Sequence, residues 1–349
     1  MTALTTLAAA ALVLSQVAPP GVAAAPYPRG APYQAALTRY DSLFSNAEIV
    51  RRLLSPLSRQ AVNDRLARSL ESLPAYPLNI AREEFLVYVP PGAPPSPRGF
   101  ALLVFVPPWG EARLPFGWAS QLNHYGVIFV TPANAGNTAA VLSRRVPLAL
   151  AAETNIARAY PVDRSRIYVG GFSGGSRVAL RVALGYPDIF RGALLHAGSD
   201  PLGNRNPVPP RNLFMRFQSS SRLVYVTGER DDFHLAGDAT SMQSMRGLCV
   251  FDVATAEIPY ASHEVMSSQA FGRALDLLLH PVPPDPTRLG ACRARIQAEV
   301  EQELAKAADL ISKGSHAAGR KLLLEINERY GGLAAPRIQE LARKCDCGL

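Results

Sequence analysis

Lysine is scarce in this 349-residue chain and absent before position 306; the four are Lys306, Lys313, Lys321 and Lys344. The formal net charge is nonetheless +8, carried by arginines scattered along the chain without a dense run. Zinc-finger spacing, an RNA-stacking aromatic run and a basic repeat are all missing. These absences argue against a nucleic-acid partner, and the positive balance reads as dispersed surface arginine. Cysteine is scarce too, limited to Cys249, Cys292, Cys345 and Cys347. The Cys-Asp-Cys at the end has no second pair at zinc spacing, so neither a metal site nor another cofactor is expected. Cys249 falls in an apolar stretch read as a buried strand and is expected to be an inert core thiol. That leaves Cys292 to pair with Cys345 or Cys347.

Long apolar runs are lacking as well, with one exception. From Leu4 to Val17 nearly every residue is small or apolar, and Ala23-Ala24-Ala25 offers a small-residue cleavage site. Pro26 disfavours a cut just before it. Residues 1–15 hold no Lys or Arg. The run is short for a bilayer span, which needs about 20 residues. A signal peptide over residues 1–25 is expected, with an uncleaved anchor as the alternative. The expectation is therefore a secreted or periplasmic protein, with no integral span once the signal is removed.

The remainder is a globular composition, 48% hydrophobic and 18% charged, long enough for one sizeable core and an appendage. Residues 26–80 read as a helical N-terminal segment, with Leu53, Leu57 and Val62 as apolar anchors. Phe85–Val89 and Ala101–Val106 read as a hairpin-like pair of strands around a Pro/Gly loop. Then strands and helices alternate. Val127–Thr131, Arg166–Gly170, Ala193–His196, Leu223–Thr227 and Cys249–Ile258 read as strands. Trp118–Tyr125, Val146–Tyr160, Gly174–Gly185, Leu235–Arg246 and Val265–His280 read as helices. This alternation implies a mostly parallel sheet covered on both faces, over residues 81–280, with ligands bound at the carboxyl ends of the strands. Four prolines within 281–287 mark a linker. Residues 288–349 read as a helical appendage, similar to one tetratricopeptide repeat. One such unit cannot bury its own face, so it should dock on the body or bind a partner.

The central motif is Gly171-Phe172-Ser173-Gly174-Gly175, a G-x-S-x-G. A plain βα turn can carry the same glycines. Here an apolar strand runs straight in and an apolar helix straight out, as a nucleophile elbow requires. Ser173 is the candidate nucleophile, and the Gly174 N–H at the helix start a candidate oxyanion donor. A triad in the order serine, acid, histidine needs a carboxylate after the strand ending at Thr227. Asp231 is the first choice, Asp232 the alternative and Glu229 a weaker third. Of the histidines, His263 alone follows the acid in a loop between strand and helix. His234 is taken as too close in sequence to Asp231 to reach Ser173, and His196 as a core histidine. Trp109 or Gly110, in the loop after the first central strand, is the candidate second oxyanion donor, since Pro107 and Pro108 have no N–H. Phe172, Trp109, Phe116 and Trp118 are either pocket lining or core, with Phe172 and Phe116 taken as substrate contacts.

The stretch Val162-Asp163-Arg164-Ser165-Arg166-Ile167-Tyr168-Val169-Gly170-Gly171-Phe172-Ser173-Gly174-Gly175 resembles the elbow of the polyhydroxybutyrate depolymerase and feruloyl esterase group of α/β-hydrolases. Phe85–Gly92 and Leu102–Val106 are similar to that group's opening strands, and the resemblance spans Glu84 to Leu279. One departure is Pro108-Trp109-Gly110, where the group usually carries His-Gly. The resemblance implies an α/β-hydrolase that cleaves a small or polymeric ester through an acyl-enzyme. A serine peptidase on the same fold and a non-catalytic, hydrolase-like binding protein are the alternatives.

Overall fold

A computed structural model of the protein describes residues 29–69, 72–203 and 205–345. The expected signal peptide at 1–25 and Cys347 lie outside the described residues. An eight-stranded sheet organises the chain. Its strands are β1 (Tyr33–Ala36), β2 (Glu84–Tyr88), β3 (Phe100–Val106), β4 (Val127–Pro132), β5 (Val162–Phe172), β6 (Gly192–His196), β7 (Arg222–Gly228) and β8 (Val253–Ile258). Their spatial order is β1-β2-β4-β3-β5-β6-β7-β8. The first two pairings are antiparallel and the rest parallel.

The helices follow the expected alternation. They are α1 (Asn46–Leu53), α2 (Pro56–Ser69), α3 (Trp118–Tyr125), α4 (Val146–Ala159), α5 (Gly174–Gly185), α6 (Arg211–Ser220), α7 (Asp232–Gly247) and α8 (Ser268–Leu279). Three more, α9 (Pro286–Ser312), α10 (His316–Tyr330) and α11 (Arg337–Cys345), form the appendage. All seven residues of β3 are buried, as a strand covered on both faces demands. Alternate side chains divide between two cores. Leu102, Val104 and Val106 join the core of α4 and α5. Ala101, Leu103 and Phe105 join that of α3 and α8, where Trp118 stacks on Phe271 at 3.8 Å.

Several expectations change. Phe85–Val89 and Ala101–Val106 do not form a hairpin, because β4 lies between β2 and β3; Leu86 pairs with Thr131 and Leu103 with Phe129. Residues 26–80 are not all helical: Tyr33–Ala36 adds an edge strand, with Tyr33 opposite Val87. Arg211–Ser220, given no element by the sequence pattern, is α6. Helix α9 starts at Pro286, with the Asp285 side chain accepting from the Arg288 N–H, so the linker stops short of 287. Proline fits that first helical position, where its missing N–H costs nothing.

Cys249 is neither a free thiol nor in a strand. It sits at φ 67° in the turn closing α7 and bonds to Cys292 on α9, with the Cα atoms 5.9 Å apart. Cys345 is also disulfide-bonded. The tail is docked on the body. Gly332 N–H donates to the Val208 carbonyl at 2.8 Å, and Arg211 Nη2 donates to the Leu333 carbonyl at 2.8 Å. The Asn327 side chain accepts from the Leu57 N–H and donates to Ser55 Oγ. Among the described residues no helix is long and apolar enough to cross a membrane.

The bridge closes a loop across 43 residues. Cys292→Ser is expected to lower the unfolding free energy by about 4 kcal/mol, the chain-entropy value for a ring of that size. Urea titration of the oxidised wild type beside the variant checks it, and coincident midpoints would mean that the bridge contributes nothing.

Candidate active site

The strand order reverses at β3. The chain leaves it on one side to make β4, then crosses back to make β5 on the other. Open α/β sheets place ligands at such a switch, outside the carboxyl ends of the strands. Ser173 sits there, between β5 and α5. Its backbone has φ 55° and ψ −123°, a strained conformation for a residue with a side chain. Close approach of neighbouring main chain holds it. A Cβ on Gly171 would lie 2.3 Å from the Gly175 carbonyl carbon, and one on Gly198 2.6 Å from the Ser173 carbonyl oxygen. The Ser173 N–H donates to the His196 carbonyl at 2.8 Å.

The loops after β7 and β8 bring in the other groups. Gly228 ends β7, and a Cβ there would strike the Ala261 and Ser262 carbonyls at 2.4 and 2.5 Å. Glycine thus lets the two loops touch. His263 Nε2 lies 3.0 Å from Ser173 Oγ, and its Nδ1 lies 2.7 Å from Asp231 Oδ2. Ser173, Asp231 and His263 therefore form one hydrogen-bonded chain. Asp232 is exposed at the first turn of α7 and takes no part. Glu229 instead accepts from the Tyr260 N–H. Burial alone would raise the Asp231 carboxyl, but hydrogen bonds from His234 and His263 offset it and hold the group below its usual range.

His234 stands beside the acid, Asp231, rather than at Ser173. Its Nδ1 lies 2.8 Å from Asp231 Oδ1, and its ring stacks on His263 with centroids 4.2 Å apart. The available signal was the three-residue spacing from Asp231. Helix α7 begins at Asp232 rather than Leu235, so residues 231 and 234 meet across its first turn. One turn further, buried Asp238 accepts from Ser199 Oγ at 2.5 Å and Thr227 Oγ1 at 2.6 Å, which ties α7 to the loop after β6. Asp231, His234 and His263 also offer ligand atoms within 4.8 Å of one another. Their two rings are parallel, however, so the nitrogen lone pairs do not converge on a metal between them.

The Gly174 N–H opens α5 and has no intrahelical acceptor. Among the described residues neither it nor the Trp109 and Gly110 N–H groups donates to a protein acceptor. Phe172 packs on the His263 ring at 4.9 Å and near Trp109 at 6.3 Å. Phe116 points wholly into solvent, and nothing sets it against Ser173. Trp118 is core, its Nε1 donating to the Met266 carbonyl at 3.0 Å, which braces the histidine loop from below.

No family model matches the chain, and no curated protein does. Solved structures match at low identity. An apo S-formylglutathione hydrolase from Staphylococcus aureus is 13% identical, with a TM-score of 0.45 over 57% of this chain and 93% of its own. A feruloyl esterase module from Clostridium thermocellum, complexed with sinapinate, is 16% identical, with a TM-score of 0.43 over 58% and 85%. Dipeptidyl peptidase 4 from Porphyromonas gingivalis is 16% identical, with a TM-score of 0.43 over 57% and 34%, so this chain spans about a third of the peptidase. Strand order and the turn at Ser173 make this an α/β-hydrolase fold with a C-terminal helical appendage.

His196 anchors the histidine loop. Its Nδ1 lies 2.9 Å from the Val226 carbonyl, and its Nε2 accepts from the Met266 N–H at 3.0 Å. Burial pulls its ring down to about 4. An unfolded histidine takes up a proton near pH 6.5 while the folded one resists, so stability is full above that pH. It falls by about 3 kcal/mol as pH drops from about 6.5 to 4. In urea unfolding at pH 7 and 4, the wild type should lose that much more stability than His196→Asn. Equal losses would exclude His196 as the source.

Proposed function

We propose that the protein is a serine hydrolase that cleaves carboxylic esters through an acyl-enzyme. The observation that carries this reading is the chain from Ser173 Oγ to His263 Nε2 at 3.0 Å and from His263 Nδ1 to Asp231 at 2.7 Å. Three separate loops supply its members at the carboxyl ends of β5, β7 and β8. In this reading Ser173 Oγ attacks the ester carbonyl carbon and passes its proton to His263 Nε2. Asp231 fixes the tautomer of His263 and stabilises the imidazolium that forms. Charge develops on the carbonyl oxygen, and the N–H groups of Gly174 and Trp109 or Gly110 receive it. His263 then gives the proton to the departing alkoxide. Water repeats the sequence to release the acid and restore Ser173.

Phe172 and Trp109 flank the reaction centre and favour an apolar or aromatic group beside the scissile bond. We take residues 81–280 as the catalytic domain, flanked by 26–80 and 288–349. The two oxidised cysteines joining α7 to α9 favour an oxidising compartment, which supports secretion or periplasmic export.

A fluorophosphonate should label the wild type and leave Ser173→Ala unlabelled; equal labelling of both would defeat the mechanism. With p-nitrophenyl acetate, Asp231→Asn should lower kcat by about 10⁴-fold, the loss typical of a wrong histidine tautomer. Asp232→Asn should stay within about twofold of wild type, as an exposed charge away from the reaction does. The reverse pattern would make Asp232 the acid.

A further inference from the structure

The wall facing the start of α5 is made by two loops, residues 107–110 after β3 and 133–137 after β4. Main-chain bonds stitch them together. The Asn134 N–H donates to the Gly110 carbonyl at 2.6 Å, and the Asn137 N–H to the Pro108 carbonyl at 3.0 Å. A Cβ on Gly136 would sit 2.8 Å from the Trp109 carbonyl carbon, so glycine permits the contact.

Arg145 lies beneath both loops and is 3% exposed. Its Nε donates to the Ala135 carbonyl at 2.8 Å, and its Nη2 to the Pro107 carbonyl at 3.0 Å. Among the described residues no carboxylate pairs with it, and burial alone draws the group down to about 10. It stays charged at neutral pH. Burying an unpaired cation is costly, yet here one carbonyl from each loop takes its hydrogen bonds. Arg145 also ends a π-helical turn, Val141–Arg145, an irregularity that gathers at functional sites. It is a clamp holding the two loops at a fixed separation.

The clamp holds Asn137 against the elbow. A Cβ on Gly174 would lie 2.2 Å from Asn137 Oδ1 and 3.2 Å from its Nδ2. The amide thus fills the space that a side chain on the residue after the serine would take. Asn137 is exposed, and among the described residues its side-chain amide has no hydrogen-bond partner.

We infer that the Asn137 side-chain amide is an oxyanion donor, acting with the Gly174 N–H, and that Arg145 positions it. This rests on Ser173 being the nucleophile. As Ser173 Oγ bonds to the carbonyl carbon, the carbonyl π pair moves onto oxygen, and Asn137 Nδ2–H donates to that oxygen. When the alkoxide leaves, the pair returns to re-form the carbonyl. No atom passes to or from Asn137.

Turnover of p-nitrophenyl acetate tests it, with Ser173→Ala as the background. Asn137→Ala should lower kcat about 100-fold, as removal of one oxyanion donor does, with KM within about twofold and an unchanged melting midpoint. Asn137→Asp should be at least as slow, because a carboxylate only accepts and repels the oxyanion. A trifluoromethyl ketone, which adds to the serine as a tetrahedral oxyanion, should bind Asn137→Ala about 100-fold more weakly. A kcat within threefold of wild type, or a rise in KM alone, overturns the assignment. Arg145→Lys keeps the charge but cannot span both carbonyls. It should slow the wild type, yet slow Asn137→Ala no further; additive losses overturn the positioning role. If the wild type turns over no faster than Ser173→Ala, the esterase reading itself falls, and this inference with it.

Discussion

The turn at Ser173 is the constraint on which the rest depends. A residue with a side chain is held at φ 55°, and it stays there because main chain crowds it from several sides. Gly171, Gly175 and Gly198 have no room for a Cβ. Those contacts need β3, β5 and β6 in register, which in turn needs the buried apolar runs that fill both faces of the sheet. Strain at one residue is thus sustained by packing spread over the whole body. The same crowding projects the hydroxyl out of the strand edge, where the loops after β7 and β8 can meet it.

Asp231 is the second organising group. Its carboxylate stands just before α7 and accepts from two stacked histidines, so both oxygens are engaged. Paired this way, the buried charge is offset rather than orphaned. Asp238, about two turns along, pins the same helix through Ser199 and Thr227. The acid is therefore held by the stiffness of α7 as much as by its own loop, a useful property for a group whose task is orientation.

Much of this was legible in the sequence. The elbow is a local feature: five consecutive residues with an apolar strand before and an apolar helix after. His263 could be singled out because order along the chain and position between strand and helix narrowed six histidines to one. The parallel sheet followed from alternating apolar runs. What escaped notice depended on distance or on boundaries. The place of β4 between β2 and β3 is set by a crossover and leaves no mark on either strand. Cys249 reads as core because its neighbours are apolar, yet a left-handed turn aims it at a helix 43 residues later. The contact of His234 with Asp231 depends on α7 beginning at Asp232 rather than Leu235, a boundary with no mark in the sequence. Asn137 and Arg145 lie in a loop and a π-helical turn that carry no motif.

The docked tail has a consequence for how the chain assembles. Leu57 and Pro56, at the start of α2, take their partners from Asn327 and Gln339, 270 and 283 positions away. Synthesis runs from the amino end, so this early helix must wait for nearly the whole chain before its contacts exist. Closing such distant pairings is slow because loop entropy is lost before contacts form. The sheet, β1 included, can be complete while α2 and the tail still lack the contacts they share. Helix α2 and the last helix then settle together, each serving as the lid on the other's apolar face.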